Sequence, residues 1–171
     1  MKLRALEPDD AEMMYEAESD PEAWRYSDYL APISLRMLRD YALTYDADPF
    51  HSGQLRLIVE VDGTPAGILD LFDISPRHMR ADTGIYILPA FRRKGVGSMA
   101  LELAKDYCRE RLGLHQLTAS VASGNAEALL CYEKAGFSVT GSRPEWLRTP
   151  DGFDDILLLS AILSQKSNPS C

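Results

Sequence analysis

The hydrophobic positions in the middle of the chain predict a run of strands. Within Gln54–Val61 the apolar residues recur at every second position, which is the period of a strand with one buried face. Asp62-Gly63 is typical of a hairpin turn, and a second strand is predicted from Pro65 to about Phe72. A third strand is predicted over Ala81–Leu88.

A helical pattern replaces the strand pattern later in the chain. From Val96 the apolar residues recur three and four positions apart, which is the stripe of a helix that lies on a sheet. This helix is predicted to stop near Gly113 and to be followed by a β-branched strand over His115–Ser123. A short helix over Asn125–Ala135 comes next, closed by Gly136-Phe137 as a left-handed C-terminal cap.

The two ends of the chain complete the order of elements. The N-terminal part predicts a strand over Lys2–Leu6, a helix from Pro8 to about Glu18 and a helix from Ser34 to about Tyr45; the C-terminal part predicts strands over Ser138–Leu147 and Phe153–Ile162. The resulting order, β-α-α-β-β-β-α-β-α-β-β, is that of a mixed α/β sheet in a single domain. We assign this domain to residues 1–162 and expect residues 163–171 to be a disordered tail.

Length and composition exclude several classes of protein. A chain of 171 residues, of which 46% are hydrophobic and 26% charged, has the size of one compact soluble domain. No run approaches the roughly 20 apolar residues of a membrane span. The segment Met1–Met14 lacks the apolar core of a signal peptide, so the cytoplasm is the expected location.

The cysteines and histidines predict neither a disulfide framework nor a metal site. The chain has 3 cysteines and 3 histidines, and none of them has the spacing of metal ligands. Cys108 and Cys131 lie in predicted helices, where a cysteine is usually a small buried hydrophobe. We therefore expect no metal.

The formal net charge of −8 argues against a nucleic-acid partner, because phosphate contacts need a basic face. An acidic surface suits a cationic partner. It equally suits a protein that uses its charge only for solubility, so charge alone does not choose between the two.

One basic, glycine-bearing turn connects a predicted strand to a predicted helix. In this stretch, FRRKGVGSMAL, the turn presents unpaired backbone N–H groups and the positive end of the helix dipole, which together form a site for an anion. Gly95 and Gly97 lack the Cβ atoms that would obstruct a phosphate, and three cations precede them. A pyrophosphate would fit here, although an exposed basic turn without a ligand has the same composition.

Two nucleotide-binding motifs compete for this stretch. The Walker A pattern G-x-x-x-x-G-K-[ST] is absent. Gly95–Ala100 matches the relaxed dinucleotide pattern G-x-G-x-x-[G/A], but that fingerprint expects the first βα turn of the fold and an acidic residue about 20 positions on. Gln116–Ala122 contains no acid, so the dinucleotide interpretation is disfavoured.

A third pattern, Arg92-x-x-Gly95-x-Gly97, resembles the cofactor motif of the GCN5-related N-acetyltransferases, [Gln/Arg]-x-x-Gly-x-[Gly/Ala] between a strand and a long helix. Arg92 stands where many members carry glutamine. The resemblance extends to the flanking sequence TGIYILPAFRRKGVGSMAL and to a second motif, SGNAEALLCYEKAGF. The order of elements is similar over residues 1–162, and the chain looks nearest to the polyamine and ribosomal-protein N-terminal acetyltransferase types.

The resemblance implies a single-domain fold with a mixed, mostly antiparallel sheet flanked by helices, and acetyl-coenzyme A as the acetyl donor. It assigns the pyrophosphate of this cofactor to the basic turn and the pantetheine arm to main-chain groups of the preceding strand. The residues at the pyrophosphate are Arg92, Arg93, Lys94, Gly95, Val96, Gly97 and Ser98, and those beside the pantetheine are Ile85, Tyr86 and Ile87. Dimerisation is common among similar proteins, so a homodimer is among the expectations.

By the same resemblance, Tyr132 meets the leaving thiolate, and Asn125 contacts the pantetheine or begins the helix. The two residues are seven positions, or two helical turns, apart and lie on one helix face. Proton transfer from a tyrosine of pKa ~10 to a thiolate of pKa ~8.5 is uphill by roughly 2 kcal/mol. We therefore expect Tyr132 to act as a hydrogen-bond donor, with full proton transfer optional. A ring that only packs on the sheet is the alternative for Tyr132, and a helix cap is that for Asn125.

Acetyl transfer needs a neutral amine, so a base must first take a proton. Four carboxylates on or beside the predicted central strands are candidates: Glu60, Asp70, Asp73 and Asp82. Each is also typical of a solvated or ion-paired side chain, and the sequence does not choose among them.

Two acidic and aromatic segments are candidates for the acceptor site. One is Glu18–Tyr29, and the other is the hairpin that contains Glu145, Trp146, Asp151, Asp154 and Asp155. Carboxylates beside aromatic rings suit an alkylammonium group by charge and by cation–π attraction, so a small polyamine or similar primary amine is the expected acceptor. A protein N-terminus is the alternative acceptor, and a non-catalytic sensor of acyl-coenzyme A is the alternative function.

Overall fold

Seven strands of the described residues form one sheet. The computed structural model describes residues 1–26, 31–150 and 152–163. Its strands are β1 (Lys2–Ala5), β2 (Leu55–Val61), β3 (Thr64–Ser75), β4 (Arg80–Ile87), β5 (Gln116–Ala122), β6 (Ser138–Thr149) and β7 (Gly152–Ile162). They lie in the order β1-β2-β3-β4-β5-β7-β6, and all neighbours are antiparallel except β4 and β5. The predicted mixed, mostly antiparallel sheet is confirmed.

Helices cover both faces of this sheet. In the described part of the chain they are α1 (Ala11–Glu18), α2 (Pro21–Trp24), α3 (Leu35–Thr44), α4 (Pro49–Ser52), α5 (Val96–Glu110) and α6 (Ala126–Lys134). The sequence predicts the four longer helices, whereas α2 and α4 are single turns that are too short to show a periodic pattern. Within the described ranges, none of the helices has the length and apolar character needed to cross a bilayer.

The alternation of side chains along β2 and β3 produces a hydrophobic core on each face of the sheet. Leu57 and Leu69 pack in the core that contains α5 and α6, while Ile58 and Ile68 pack in the core that contains α1 and α3. All four side chains are buried. The sheet therefore separates α6 from α1, and the two helices approach the site from opposite faces.

Strands β4 and β5 pair only over a short stretch and then separate. The paired residues are Arg80–Asp82 and Gln116–Thr118. Beyond them β4 stays paired with β3 up to Ile87, and β5 stays paired with β7 up to Ala122, so the two parallel strands diverge. This gap leaves main-chain groups of β4 without a strand partner on one side.

The C-terminal strand is followed by one more residue that packs into the core. Leu163 is buried, and its N–H donates to the carbonyl of His115 at 2.7 Å. The remaining residues of the predicted tail, 164–171, lie outside the described residues.

Candidate active site

The turn before α5 has the geometry of an anion site. Gly95 precedes the helix with a φ of 77°, a left-handed conformation that is free of strain only without a Cβ atom. The first N–H groups of this 15-residue helix lie at the positive end of its dipole, and its N-cap, Gly95, provides no side-chain cap for them. Val96, Gly97 and Ser98 form this first turn, so their predicted contacts with a pyrophosphate fit the geometry and stay a prediction.

Gly97 also has a packing role. A Cβ atom at this position would lie 2.8 Å from the sulfur of Cys131, so the absence of a side chain lets α5 and α6 approach closely. Burial raises the pKa of Cys131 and raises that of Cys108 to about 12, which makes both thiols poor nucleophiles. Among residues 1–26, 31–150 and 152–163, no cluster of three or more Cys, His, Asp or Glu could hold a metal ion.

Two of the three cations in the turn lie at the surface. The guanidinium of Arg93 is 3.2 Å from the carboxylate of Glu127, and the ammonium of Lys94 donates to the carbonyl of Ala90 at 2.8 Å. Such exposed contacts are weak, so both side chains can turn toward a bound anion at little cost. Their predicted role at the pyrophosphate stays a prediction.

Arg92 is held more firmly than its two neighbours. Its Nε donates to the carbonyl of Ile87 at 2.8 Å, and its Nη2 donates to the carboxylate of Asp20, also at 2.8 Å. The side chain is half-buried, with 33% of its surface exposed. Arg92 therefore links the basic turn to the segment that follows α1, and its predicted contact with the pyrophosphate is not tested by this arrangement.

The main chain of β4 faces the gap at alternate residues. The carbonyls of Thr83 and Ile87 both accept hydrogen bonds from side chains outside β3. Ile85 lies between them and directs its N–H and C=O to the same side, because successive residues of a strand alternate in direction. Ile85 and Ile87 are thus placed as predicted for residues beside a pantetheine arm. Tyr86 directs its main chain toward β3 instead, and it borders a cavity described below.

Tyr132 reaches the base of the gap from α6. Its hydroxyl donates to the carbonyl of Thr83 at 3.1 Å, and its ring packs edge-on against Phe137 at 5.1 Å between centroids. The side chain is only 4% exposed, and burial raises the pKa of the phenol. Full proton transfer from this hydroxyl is therefore harder than for a free tyrosine, which favours a role as a hydrogen-bond donor. The catalytic role itself stays a prediction.

Asn125 combines two roles that the sequence left open. Its side-chain oxygen accepts a hydrogen bond from the N–H of Ala128 at 3.1 Å, so the residue caps the N-terminus of α6. It also borders the cavity beside β4. The helix cap therefore places a polar side chain beside the candidate site.

A cavity of about 310 Å³ opens beside β4. It is lined by residues of α1 and the segment after it, of β2, β3 and β4, and by the cap of α6: Ala17, Glu18, Trp24, Tyr26, Arg56, Ile68, Asp70, Gly84, Ile85, Tyr86 and Asn125. The first of the two predicted acceptor segments thus forms one wall. Tyr29 of that segment and Asp151 of the other lie outside the described residues.

Three charged side chains define the electrostatics of this cavity. Arg56 and Asp70 form a two-pronged ion pair, with the Nε–Oδ1 distance at 2.8 Å and the Nη2–Oδ2 distance at 2.7 Å. Within the described residues the carboxylate of Glu18 has no hydrogen bond or ion pair, although its main-chain carbonyl accepts a hydrogen bond from the indole N–H of Trp24. Burial of this half-buried carboxyl raises its pKa despite the opposing charge of Arg56. Because Arg56 and Asp70 neutralise each other, Glu18 leaves the cavity with one net negative charge.

The second predicted acceptor segment does not border the cavity in the described structure. Asp154 accepts a hydrogen bond from the N–H of Gly124 at 3.0 Å, and Asp155 accepts one from the N–H of Glu145 at 2.8 Å. Trp146 is 63% exposed. The two aspartates therefore hold turns in place, and the expectation that this hairpin forms a second wall is not supported by the lining residues.

One of the four candidate bases borders the cavity. Asp70 does so through its pair with Arg56. Glu60 instead forms an ion pair with Arg4 at 2.8 Å, where β2 pairs with β1 at the edge of the sheet. Asp82 lies where β4 and β5 are paired, and Asp73 lies near an irregularity of β3 with a φ of 48°.

Arg56, which neutralises Asp70, was not predicted from the sequence as a residue of the site. A signal was present, because an arginine within the apolar strand LRLIVEV is expected to be buried only with a partner carboxylate. The identity of that partner could not be inferred from spacing alone.

Comparisons with known proteins give matches over most of this chain. Residues 1–138 match the family model described as an acetyltransferase (GNAT) domain. Spermidine N(1)-acetyltransferase of Escherichia coli (strain K12) is 34% identical over 144 residues, which are 82% of this chain and 74% of that protein. Ribosomal protein bS18-alanine N-acetyltransferase of the same strain is 27% identical over 128 residues, which are 74% of this chain and 86% of that protein.

The fold is also that of a solved relative. The crystal structure of spermidine N-acetyltransferase from Vibrio cholerae in complex with CoA and spermine has a TM-score of 0.82 to this chain, at 24% identity, and the match covers 98% of both chains. At this identity the likeness shows the fold alone.

Proposed function

This chain belongs to the GNAT acetyltransferase family, and from that premise we propose that it transfers the acetyl group of acetyl-CoA to a primary amine of a small polyamine. The observation that carries the proposal is the cavity beside β4, where the unpaired carboxylate of Glu18 lies with Trp24 and Tyr26 next to the gap that contains Tyr132. The similarity to a spermidine acetyltransferase at 34% identity supports the same acceptor class.

The basic turn and β4 are suited to hold the donor. The N–H groups in the first turn of α5, which no side chain caps at Gly95, suit a pyrophosphate, and the main chain of Ile85 suits the amide groups of a pantetheine arm. Acetyl-CoA, when bound, supplies the acetyl group as a thioester. The gap between β4 and β5 then brings Tyr132 and Asn125 toward the reacting end.

The cavity is suited to hold a cationic acceptor. Attraction between an ammonium and a carboxylate about 4 Å apart is worth roughly 1–4 kcal/mol, depending on exposure to water. Glu18 can provide this attraction because no described residue already neutralises it, and Trp24 and Tyr26 add aromatic faces for the alkyl chain and for cation–π contact. A polyamine carries several such ammonium groups, so one can bind Glu18 while another, deprotonated, reacts.

The reaction needs a proton acceptor on the cavity side of the gap and a hydrogen-bond donor to the departing sulfur on the side of α6. The amine loses a proton, its nitrogen bonds to the thioester carbon, and the carbon–sulfur bond breaks with the electron pair on sulfur. Asp70 is the one of the four candidate bases that borders the cavity, and it can receive the proton directly or through water, while Glu18 binds a second ammonium of the acceptor. The hydroxyl of Tyr132, which donates to Thr83 in this structure, can rotate about its C–O bond to donate to the developing thiolate.

A panel of acceptors tests the proposal. Purified protein with acetyl-CoA is expected to acetylate spermidine and spermine with a kcat/KM at least about tenfold higher than for alanine-starting peptides or single amino acids, since each lost ion pair costs about one factor of ten. Release of CoA gives the rate, and mass spectrometry identifies the acetylated product. Rapid acetylation of the peptides without acetylation of polyamines would show that a protein N-terminus is the acceptor. Binding of acetyl-CoA without turnover of any amine would indicate a sensor.

The substitution Glu18→Gln is expected to raise KM for spermidine about tenfold and to change kcat little, because it removes a charge that binds the acceptor before and during the reaction. Steady-state kinetics with spermidine measure both constants. Glu16→Gln is the matched control, since Glu16 lies on the same helix, is exposed and does not border the cavity. Equal effects of the two substitutions would contradict a specific role for Glu18.

The affinity for spermidine is also expected to depend on pH through Glu18. Burial raises the pKa of this carboxyl, so protonation begins above the usual range of a glutamate and removes the charge that attracts the acceptor. Titration calorimetry should therefore show weaker binding as pH falls from about 7 to about 5, while the polyamine stays fully charged. Glu18→Gln should bind weakly at all these pH values, and an unchanged pH dependence in this variant would assign the titration to another group.

We also propose that the reaction takes place in the cytoplasm, on a small-molecule acceptor and without a nucleic-acid or membrane partner. The net charge of −8 supports a cationic acceptor. The homodimer expected from the family resemblance stays a prediction.

A further inference from the structure

A polar network joins the basic turn to the wall of the acceptor cavity. The carboxylate of Asp20 accepts a hydrogen bond from the hydroxyl of Tyr86 at 2.7 Å and one from Nη2 of Arg92 at 2.8 Å, both at the same oxygen. Only 14% of the Asp20 side chain is exposed. A charge-assisted contact at this degree of burial is stronger and less screened than a surface ion pair. We call these three residues the Asp20–Arg92–Tyr86 network.

Arg92 contributes to this network through more than one contact. Its Nε donates to the carbonyl of Ile87, and its guanidinium lies 5.2 Å from the centre of the Tyr86 ring. The position of the guanidinium is therefore determined from three directions: by β4, by the aromatic ring and by Asp20. Tyr86 stays a neutral donor, because burial and the neighbouring charge of Asp20 both raise the pKa of its hydroxyl.

The network connects three elements that take part in the two proposed binding events. Arg92 lies in the turn that leads into α5, and Tyr86 lies on β4 and borders the acceptor cavity. Asp20 lies between Glu18 and Trp24, which both line that cavity. Two hydrogen bonds to one oxygen of Asp20, from Arg92 of the turn and from Tyr86 of β4, therefore join all three elements.

We propose that Asp20 and Arg92 are positioning residues that couple donor binding to the order of the acceptor wall. The inference rests on the proposed function, because it assumes that the turn holds the pyrophosphate of CoA. A ligand bound at the turn restrains Arg92 further, beyond its contacts with Ile87, Tyr86 and Asp20, and Arg92 in turn restrains Asp20 and the flanking residues Glu18 and Trp24. By thermodynamic reciprocity, acceptor binding strengthens donor binding by the same factor.

Hydrogen exchange with CoA as the only ligand tests the coupling without any turnover. In the unmodified protein, saturating CoA is expected to slow amide exchange in residues 95–101 of the turn and, by about fivefold or more, in residues 17–24 of the acceptor wall. In Asp20→Asn the first effect should persist and the second should be lost. Asparagine is chosen because it removes the charge and has nearly the same size and shape as aspartate.

Two further variants separate positioning from direct phosphate binding. Arg92→Met should behave as Asp20→Asn does in residues 17–24. Arg39→Met is the matched control, because Arg39 forms an ion pair with Glu12 of α1 at 2.5 Å without contact to the turn, so CoA should protect residues 17–24 normally in this variant. Normal protection of residues 17–24 in Asp20→Asn, together with a loss of CoA affinity in Arg92→Met alone, would show that Arg92 is a phosphate ligand and would overturn the proposal. Absence of protection at residues 17–24 in the unmodified protein would overturn it as well.

Kinetics give a second readout that depends on the acceptor. With spermidine, Asp20→Asn is expected to raise KM about tenfold and to leave kcat within about twofold, with an unchanged dissociation constant for CoA alone. If no polyamine is acetylated by the unmodified protein, the proposed acceptor is wrong, but the exchange experiment with CoA still decides whether the network couples the two sites. A fall in kcat without a rise in KM would contradict a role in ordering the acceptor wall.

Discussion

Tyr132→Phe will lower kcat for acetyl transfer by about 100- to 1000-fold and leave the affinity for CoA within about twofold. The substitution removes the hydroxyl that reaches the base of the gap between β4 and β5 from α6, at the carbonyl of Thr83. Loss of this hydrogen-bond donor slows the reaction because negative charge develops on the sulfur in the transition state and is absent from the bound thioester. The ring and its contact with Phe137 remain, so the shape of the site is kept.

The measurement combines single-turnover kinetics, CoA titration and thermal unfolding. Loss of the hydrogen bond to Thr83 should reduce the free energy of unfolding by about 1 kcal/mol, too little to explain the loss of rate. Tyr107→Phe is the matched control, because Tyr107 is a partly buried tyrosine of the neighbouring helix α5. A variant at Tyr132 with normal turnover would show that the residue is only a packed aromatic or that the protein works by another route.

The pH profile gives a further check on the role of this tyrosine. Because burial raises the pKa of Tyr132, its hydroxyl stays protonated throughout the usual assay range. Below pH ~10, titration of Tyr132 should therefore cause no fall in the rate as pH rises. The pH profile in this range should have the same shape in the unmodified protein and in Tyr132→Phe. A fall in the rate that is lost in Tyr132→Phe would indicate that the phenol titrates in the free enzyme and acts as a proton donor of ordinary acidity.

Arg56→Met will destabilise the fold by about 3 kcal/mol, because it leaves the carboxylate of Asp70 without its partner beside the carboxylate of Glu18. The guanidinium of Arg56 is 15% exposed, makes both bonds to Asp70 and lies 5.5 Å from the centre of the Tyr41 ring. Methionine keeps much of the packing of the stem. The main loss is therefore electrostatic, and a fall in Tm of ~6–12 °C is expected for a chain of this size.

Denaturant and thermal unfolding measure this effect, and a second substitution tests its cause. In the double variant Arg56→Met/Asp70→Asn the charge that was left unpaired is removed, so stability should recover in part and the two substitutions should not be additive. Arg39→Met is the matched control, because it breaks an ion pair whose partners are both more than half exposed and should change Tm little. A loss in Arg56→Met that is no greater than in Arg39→Met would contradict the importance of this buried pair.

Local sequence patterns were sufficient to predict the elements that we propose hold the donor. The strand before Pro89, the turn with Gly95 and the helix from Val96 are each determined by neighbours in sequence: β-periodicity, a residue that tolerates a positive φ, and an apolar stripe. The two motifs that resemble the family also lie within these local segments. For this reason the predicted order of long elements matches the structure, and the elements missed in the described part of the chain are single turns: α2, α4 and the 3-10 turn Pro89–Phe91.

The acceptor side depends on register, which local patterns did not determine. Counting back from the pairing of Val61 with Thr64 along a regular hairpin would place Arg56 opposite Leu69. A bulge at Ala66 shifts the register by one residue and places Asp70 opposite Arg56 instead. The ion pair that neutralises Asp70 follows from that single extra residue. It leaves Glu18 as the charge of the cavity that no other described lining residue compensates.

The sequence by itself determined the family, the order of the long elements and the turn suited to a pyrophosphate, because each depends on residues that are close along the chain. Only the tertiary structure decided which acidic segment borders the cavity and which partners Arg56 and Arg92 have. Those contacts join residues far apart in sequence, such as Asp20 and Arg92, and they depend on the divergence of β4 from β5 and on the bulge in β3. Neither irregularity leaves a periodic signal, so the acceptor wall and its link to the donor turn became visible only in three dimensions.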